Sequence, residues 1–158
     1  MSVAKEELRA RIEKAFVGVP VPTRIEEMRL PGRTDEDSYA MAAAFVGKPW
    51  TELPIETLFF HREALGSLSP AAYRAYLPAY LAASFASEDW MDKYGPDLRQ
   101  YLLFTLKPWK HHKPERGAET TARLAALTDE QREVVADVLR FLVARWESED
   151  AAEILRDW

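Results

Sequence analysis

The sequence predicts an all-α, single-domain bundle of about seven helices with a proline-kinked central helix, and three observations carry that prediction. Apolar residues recur every three or four positions through most of the chain, the period of one buried helix face. Proline and glycine, rather than long polar linkers, punctuate those segments. At 158 residues, 47% hydrophobic and 30% charged, the chain has the size and balance of one globular domain. The expected domain is therefore 1–158, undivided.

The elements follow in order. Leu8, Ile12, Ala15 and Phe16 mark the buried face of a first helix, which Gly18, Pro20 and Pro22 end. Near residues 17–32 Val17, Val19 and Val21 alternate while three prolines oppose a helix, so one short strand or extended arm is expected there. Thr34, followed by Asp35, Glu36 and Asp37, reads as a helix start, because a hydroxyl accepts from free amides and acids favour the positive end of the dipole. That helix carries Tyr39 to Phe45 and stops at Gly47. After a turn at Pro49 and Trp50, the residues Ile55, Leu58, Phe59, Ala64 and Leu65 predict one amphipathic helix ending at Gly66.

Ser69 before Pro70 places a capping hydroxyl ahead of a proline whose missing amide costs nothing at the first helical position. The helix is expected to run to about Ala86 with Pro78 inside it. An interior proline costs ~3 kcal/mol, so Tyr73, Leu77, Tyr80 and Leu81 should pack deep in the core to offset it. Gly95-Pro96-Asp97 opens a helix through Leu106, and Lys107 to Gly117 reads as a loop. Leu124 and Leu127 belong to a short helix or turn. Thr128 and Gln131 form a capping box, which starts a long helix with Val134, Val135, Val138, Leu139, Phe141, Leu142 and Trp146 on its apolar stripe. Ser148 caps a last short piece, leaving Trp158 at its end.

The run Leu68-Ser69-Pro70-Ala71-Ala72-Tyr73-Arg74-Ala75-Tyr76-Leu77-Pro78-Ala79-Tyr80-Leu81 resembles the core motif of a bacterial helical family of unknown function. The order of parts is similar too, with the Gly47-Lys48-Pro49-Trp50 turn before the motif and the Leu127-Thr128 helix start after it. The resemblance spans roughly residues 34–142. It implies the helical fold and a bacterial source, and it transfers no reaction, cofactor or site residue.

Composition narrows the function classes. The chain has no cysteine, which excludes disulfides, thiolate metal sites and cysteine nucleophiles. Lys5, Glu6 and Glu7 stand where a secretory signal needs its apolar stretch, and no run approaches the ~18 apolar residues of a membrane span, so a cytoplasmic protein without membrane contact is expected. The formal net charge of -5 disfavours nucleic acid as a partner. The charge is uneven: Lys107, Lys110, Lys113 and Arg116 make a basic island, whereas the last twelve residues are strongly acidic.

No residue set reads as catalytic, cofactor-binding or metal-ligating. His111 and His112 are adjacent, point differently and read as solvated loop residues, and His61 meets acids only through the fold. No Gly-x-Ser-x-Gly elbow occurs, and six glycines are too few for phosphate loops. Glu88, Asp89 and Asp92 near Trp90 read as a solvated turn, and the basic, aromatic stretch Lys107 to Pro114 as a surface loop.

Two functional readings remain. The leading one is a non-enzymatic protein-interaction module of the bacterial cytosol, with toxin neutralisation or an immunity-type role as one concrete form. Its partner is another protein, expected to bind Glu147, Glu149, Asp150 and Glu153 with Trp158 as aromatic anchor. The alternative is a small-ligand-binding protein or enzyme with a pocket beside Pro78, lined by Tyr73, Tyr76 and Tyr80, against a plain core role for those rings.

Overall fold

A computed structural model describes residues 3–32, 35–86, 95–107 and 114–158. Nine α-helices occur among the described residues, two more than the sequence predicts, and no strand does. The four-residue piece Ile25–Met28 is too short to show an amphipathic period. In chain order they are α1 (Val3–Ala15), α2 (Ile25–Met28), α3 (Glu36–Phe45), α4 (Ile55–Phe60), α5 (Pro70–Ala83), α6 (Gly95–Leu106), α7 (Pro114–Ala125), α8 (Asp129–Trp146) and α9 (Glu149–Asp157). Two 3-10 turns, Trp50–Glu52 and Arg62–Ser67, flank α4.

The arm expected near residues 17–32 is one turn of helix plus a single antiparallel bridge between Arg29 and Leu68. Leu30 donates to the Ser67 carbonyl at 3.0 Å and Ser69 to the Met28 carbonyl at 2.9 Å, and the ladder goes no further. Pro31 follows at once with no amide to offer. Asp35 caps α3, its carboxylate accepting from the Ser38 amide at 2.9 Å. The cap expected of Thr34 lies outside the described residues.

The single helix expected from Ile55 to Leu65 breaks at His61, whose backbone (φ -101, ψ 17) leaves the α region. The Phe59 carbonyl, which a continuing α-helix would offer to the Glu63 amide, receives the Arg62 guanidinium at 2.9 Å. The 3-10 turn after it still buries Leu65 and Leu68, so the core spacing survives the break.

α5 starts as the sequence predicts: the Ser69 hydroxyl accepts from Ala72 at 3.2 Å and donates to the Glu27 carbonyl at 2.6 Å, with Pro70 next. The helix runs on through Pro78 and ends at Ala83, three residues earlier than expected, where the Ser84 hydroxyl takes the Leu81 carbonyl at 2.6 Å. Eleven of its 14 residues are buried. It packs against α1, α2, α4, α6, α7 and the Trp50–Glu52 turn, which makes it the axis of the core. Burial on that scale offsets the ~3 kcal/mol of an interior proline.

The expected loop from Lys107 to Gly117 is helical from Pro114, and the short helix or turn expected around Leu124 is the 12-residue α7. Proline suits the first helical position, so a residue that reads as a breaker starts the element. In α8 both halves of the capping box form, Gln131 N–H to Thr128 Oγ1 at 3.1 Å and Thr128 N–H to Gln131 Oε1 at 3.0 Å. α8 lies on α1 and α9, and no described helix is long and apolar enough to cross a membrane.

Candidate functional site

Three places bring together groups with chemical potential: the tyrosine row of α5, the acidic corner where α8 meets α9, and a cleft between α3 and the segment after α4.

Tyr73, Tyr76 and Tyr80 lie at spacings of three and four on α5 and are fully buried. Each hydroxyl ends on an internal partner. Tyr73 shares a 2.8 Å hydrogen bond with Thr105, whose own hydroxyl donates to the Leu102 carbonyl at 2.7 Å. Tyr76 reaches the Phe45 and Lys48 carbonyls at 2.7 and 2.9 Å, closing the C-terminal end of α3. Tyr80 donates to the Leu58 carbonyl at 3.3 Å. Burial pushes the phenols of Tyr73 and Tyr76 up to about 12, against the opposing effects of Thr105 and Arg123 at Tyr73, and raises Tyr80 further. Phenols so held keep their protons near neutral pH and act as rivets between α5 and its neighbours.

At the acidic corner, Glu147 caps α8 in the left-handed conformation (φ 51, ψ 38), its amide donating to the Val143 carbonyl at 2.9 Å. Among the described residues it is the one non-glycine with positive φ. Glu147, Glu149 and Asp150 are exposed, and Glu153 is half-buried. Ser148 caps α9 by accepting from Ala151 at 3.2 Å, which fixes where the first-turn acids stand. Asp150 pairs with Lys107 at 3.0 Å, so the first residue of the basic island meets the acidic end directly. Trp158 turns inward: its indole N–H donates to the Arg132 carbonyl at 2.9 Å and its ring lies 4.5 Å beneath the Arg132 guanidinium. The structure therefore groups Glu147, Glu149 and Asp150 and ties Trp158 to α8.

The third place was not singled out from sequence. Asp37, Ala40, Phe60, His61, Arg62 and Glu63 line an open cleft of about 200 Å³. The His61 ring sits edge-on between Phe45 at 5.8 Å, inside the core, and Phe60 at 4.9 Å, outside it. Burial lowers the His61 pKa, with Asp37 pulling it the other way. Glu63 accepts from the Tyr101 hydroxyl at 3.1 Å. Arg62 lies 4.1 Å over the Phe59 ring. The missed signal was Phe60, which falls off the Ile55, Leu58 and Phe59 stripe and is 75% exposed.

No group of three or more histidines and acids able to hold a metal ion occurs among the described residues. His111, His112, Glu88, Asp89, Trp90, Asp92 and the middle of the Lys107 to Pro114 stretch lie outside them.

No curated protein and no solved structure matches this chain. Residues 4–157 match the model of a family of unknown function (DUF6714), which agrees with the resemblance to a domain of unknown function read from the α5 motif. With nearly its whole length covered by that model, the chain belongs to the family of unknown function DUF6714.

Proposed function

We propose that this protein acts in the bacterial cytosol by binding another protein rather than by catalysing a reaction, and that its partner presents a basic surface to the corner where α8 meets α9. The observation that carries this reading is Glu147. A left-handed cap is ordinarily taken by glycine or asparagine, and any other residue pays roughly 1 kcal/mol or more for it. A glutamate held there, exposed and next to exposed Glu149 on a capped helix, is local strain kept alongside negative charge, the pattern of a surface retained for contact. Acidic charge on a rigid frame speeds encounter with a basic partner and fixes its orientation. Neutralising a basic toxin is one concrete form of such a role.

The test separates folding from binding. Tagged protein is used to recover partners from a lysate of its own source, beside the variant Glu147→Asn/Glu149→Gln. The expected result is one stoichiometric basic polypeptide, released by salt and lost in a variant that is at least as stable as the parent. Recovery of the same polypeptide by both proteins would refute the corner as the contact.

A further inference from the structure

We infer that the cleft between α3 and the segment after α4 binds the guanidinium group of an arginine side chain presented by a protein. This site is separate from the acidic corner and does not depend on the reading given for it.

The walls set the chemistry. Phe60 is 75% exposed at the mouth, and its ring is braced by His61 at 4.9 Å, which is in turn set against buried Phe45. A large aromatic ring left in water beside a cavity offers a face on which a flat cation can stack. Asp37 supplies an exposed carboxylate from the first turn of α3, on the opposite side of the cleft. Glu63 supplies another, of which Oε1 accepts from Tyr101. Stacking on an aromatic face beside a carboxylate suits a guanidinium better than an ammonium, because the guanidinium is planar, weakly hydrated and able to donate two parallel hydrogen bonds.

The charge balance agrees. Among the described lining residues, Asp37 and Glu63 are set against one cation, Arg62, whose guanidinium is held by the Phe59 carbonyl and stacked on the Phe59 ring. With His61 neutral, the described lining residues carry one net negative charge, matched to one guanidinium. The groups facing His61 are Asp37 of α3, Arg62 and Glu63 of its own segment, and Tyr101 of α6 by way of Glu63. Burial holds His61 below its ordinary value, so it stays neutral at pH 7.5 and gains charge on acidification, which cancels the net charge and weakens binding.

The probes are N-acetyl-arginine amide, N-acetyl-lysine amide and free arginine, titrated into the full chain while its NMR spectrum is followed. The blocked arginine is expected to bind with a dissociation constant on the order of 1 to 10 mM at pH 7.5, shifting resonances of Asp37, Phe60 and His61. The blocked lysine should bind about fivefold more weakly or worse. Asp37→Asn and Phe60→Ala change exposed side chains, should leave the remaining spectrum intact, and should each weaken the arginine about fivefold or more. Acidification through the lowered His61 pKa should weaken it too. The inference is overturned if no localised shift appears by about 50 mM, if lysine binds equally well, or if both variants bind like the parent. Binding of free arginine without the blocked form would overturn the protein source of the guanidinium.

Discussion

Gln131 donates its side-chain amide to the Ala15 carbonyl at 3.1 Å, joining the start of α8 to the end of α1 across 116 residues of chain. The same side chain accepts from the Thr128 amide at 3.0 Å and from Arg74 Nε at 3.1 Å. Both of those partners are donors, which fixes the orientation of the amide. One local capping residue thus also locks α1, α5 and α8 together, and it is almost fully buried while doing so.

Gln131→Ala should accordingly cost more than the ~1 kcal/mol of an ordinary cap. It removes the side-chain half of the capping box and leaves the Thr128 amide, the Ala15 carbonyl and Arg74 short of partners, for an expected loss of about 2 to 4 kcal/mol. Urea denaturation checks this; a loss below about 1 kcal/mol would mean that the long-range contacts contribute nothing.

The tyrosine rivets should differ from one another. Tyr76→Phe leaves the Lys48 carbonyl short of a partner, while the Phe45 carbonyl keeps the Lys48 amide at 3.0 Å, and should cost about 1 to 2 kcal/mol; after Tyr73→Phe the Thr105 hydroxyl still has the Leu102 carbonyl, so that loss should be smaller. Leu77→Ala, at a fully buried position on the same helix, should cost about 2 to 5 kcal/mol. Denaturation midpoints rank the three.

Alkali should reveal the same rivets. Folded Tyr73 and Tyr76 hold their protons to about 12 while an unfolded phenol releases its proton near the ordinary value of 10. Their folded pKa is raised, so the stability it confers is fully present below pH 10 and is lost as pH rises from there through 12. Phenolate absorbance should therefore rise in two stages, the second coinciding with loss of helical circular dichroism. A complete rise before any unfolding would contradict the buried hydroxyls.

Legibility in the sequence tracked how local each determinant is. The start of α8 was readable because Thr128 and Gln131 lie three residues apart and satisfy each other, and the start of α5 because Ser69 and Pro70 are adjacent. The break at His61 was not readable, since Leu58 and Leu65 keep helical spacing across it. α7 reads as a shorter piece around Leu124 because Pro114 and its basic neighbours resemble a loop in composition. Trp158 was readable in hindsight: Ala151, Ile154, Leu155 and Trp158 continue one helical face, which turns the ring toward α8 rather than outward. The cleft joins Asp37 to residues 60–63, and no local pattern announces a meeting across that separation.

Glu147→Gly should stabilise the fold by about 0.5 to 1.5 kcal/mol, because glycine takes the left-handed cap without the side-chain penalty. A destabilised variant in thermal melts would show that the glutamate is kept for packing.

The most direct measurement of the central claim is the binding of the recovered partner to the parent chain and to Glu147→Asn/Glu149→Gln, each at about 50 and 200 mM salt. The account predicts a basic partner whose affinity falls tenfold or more in the variant and falls with salt in the parent, while the variant melts no lower than the parent. Equal, salt-independent affinity for both chains would contradict it.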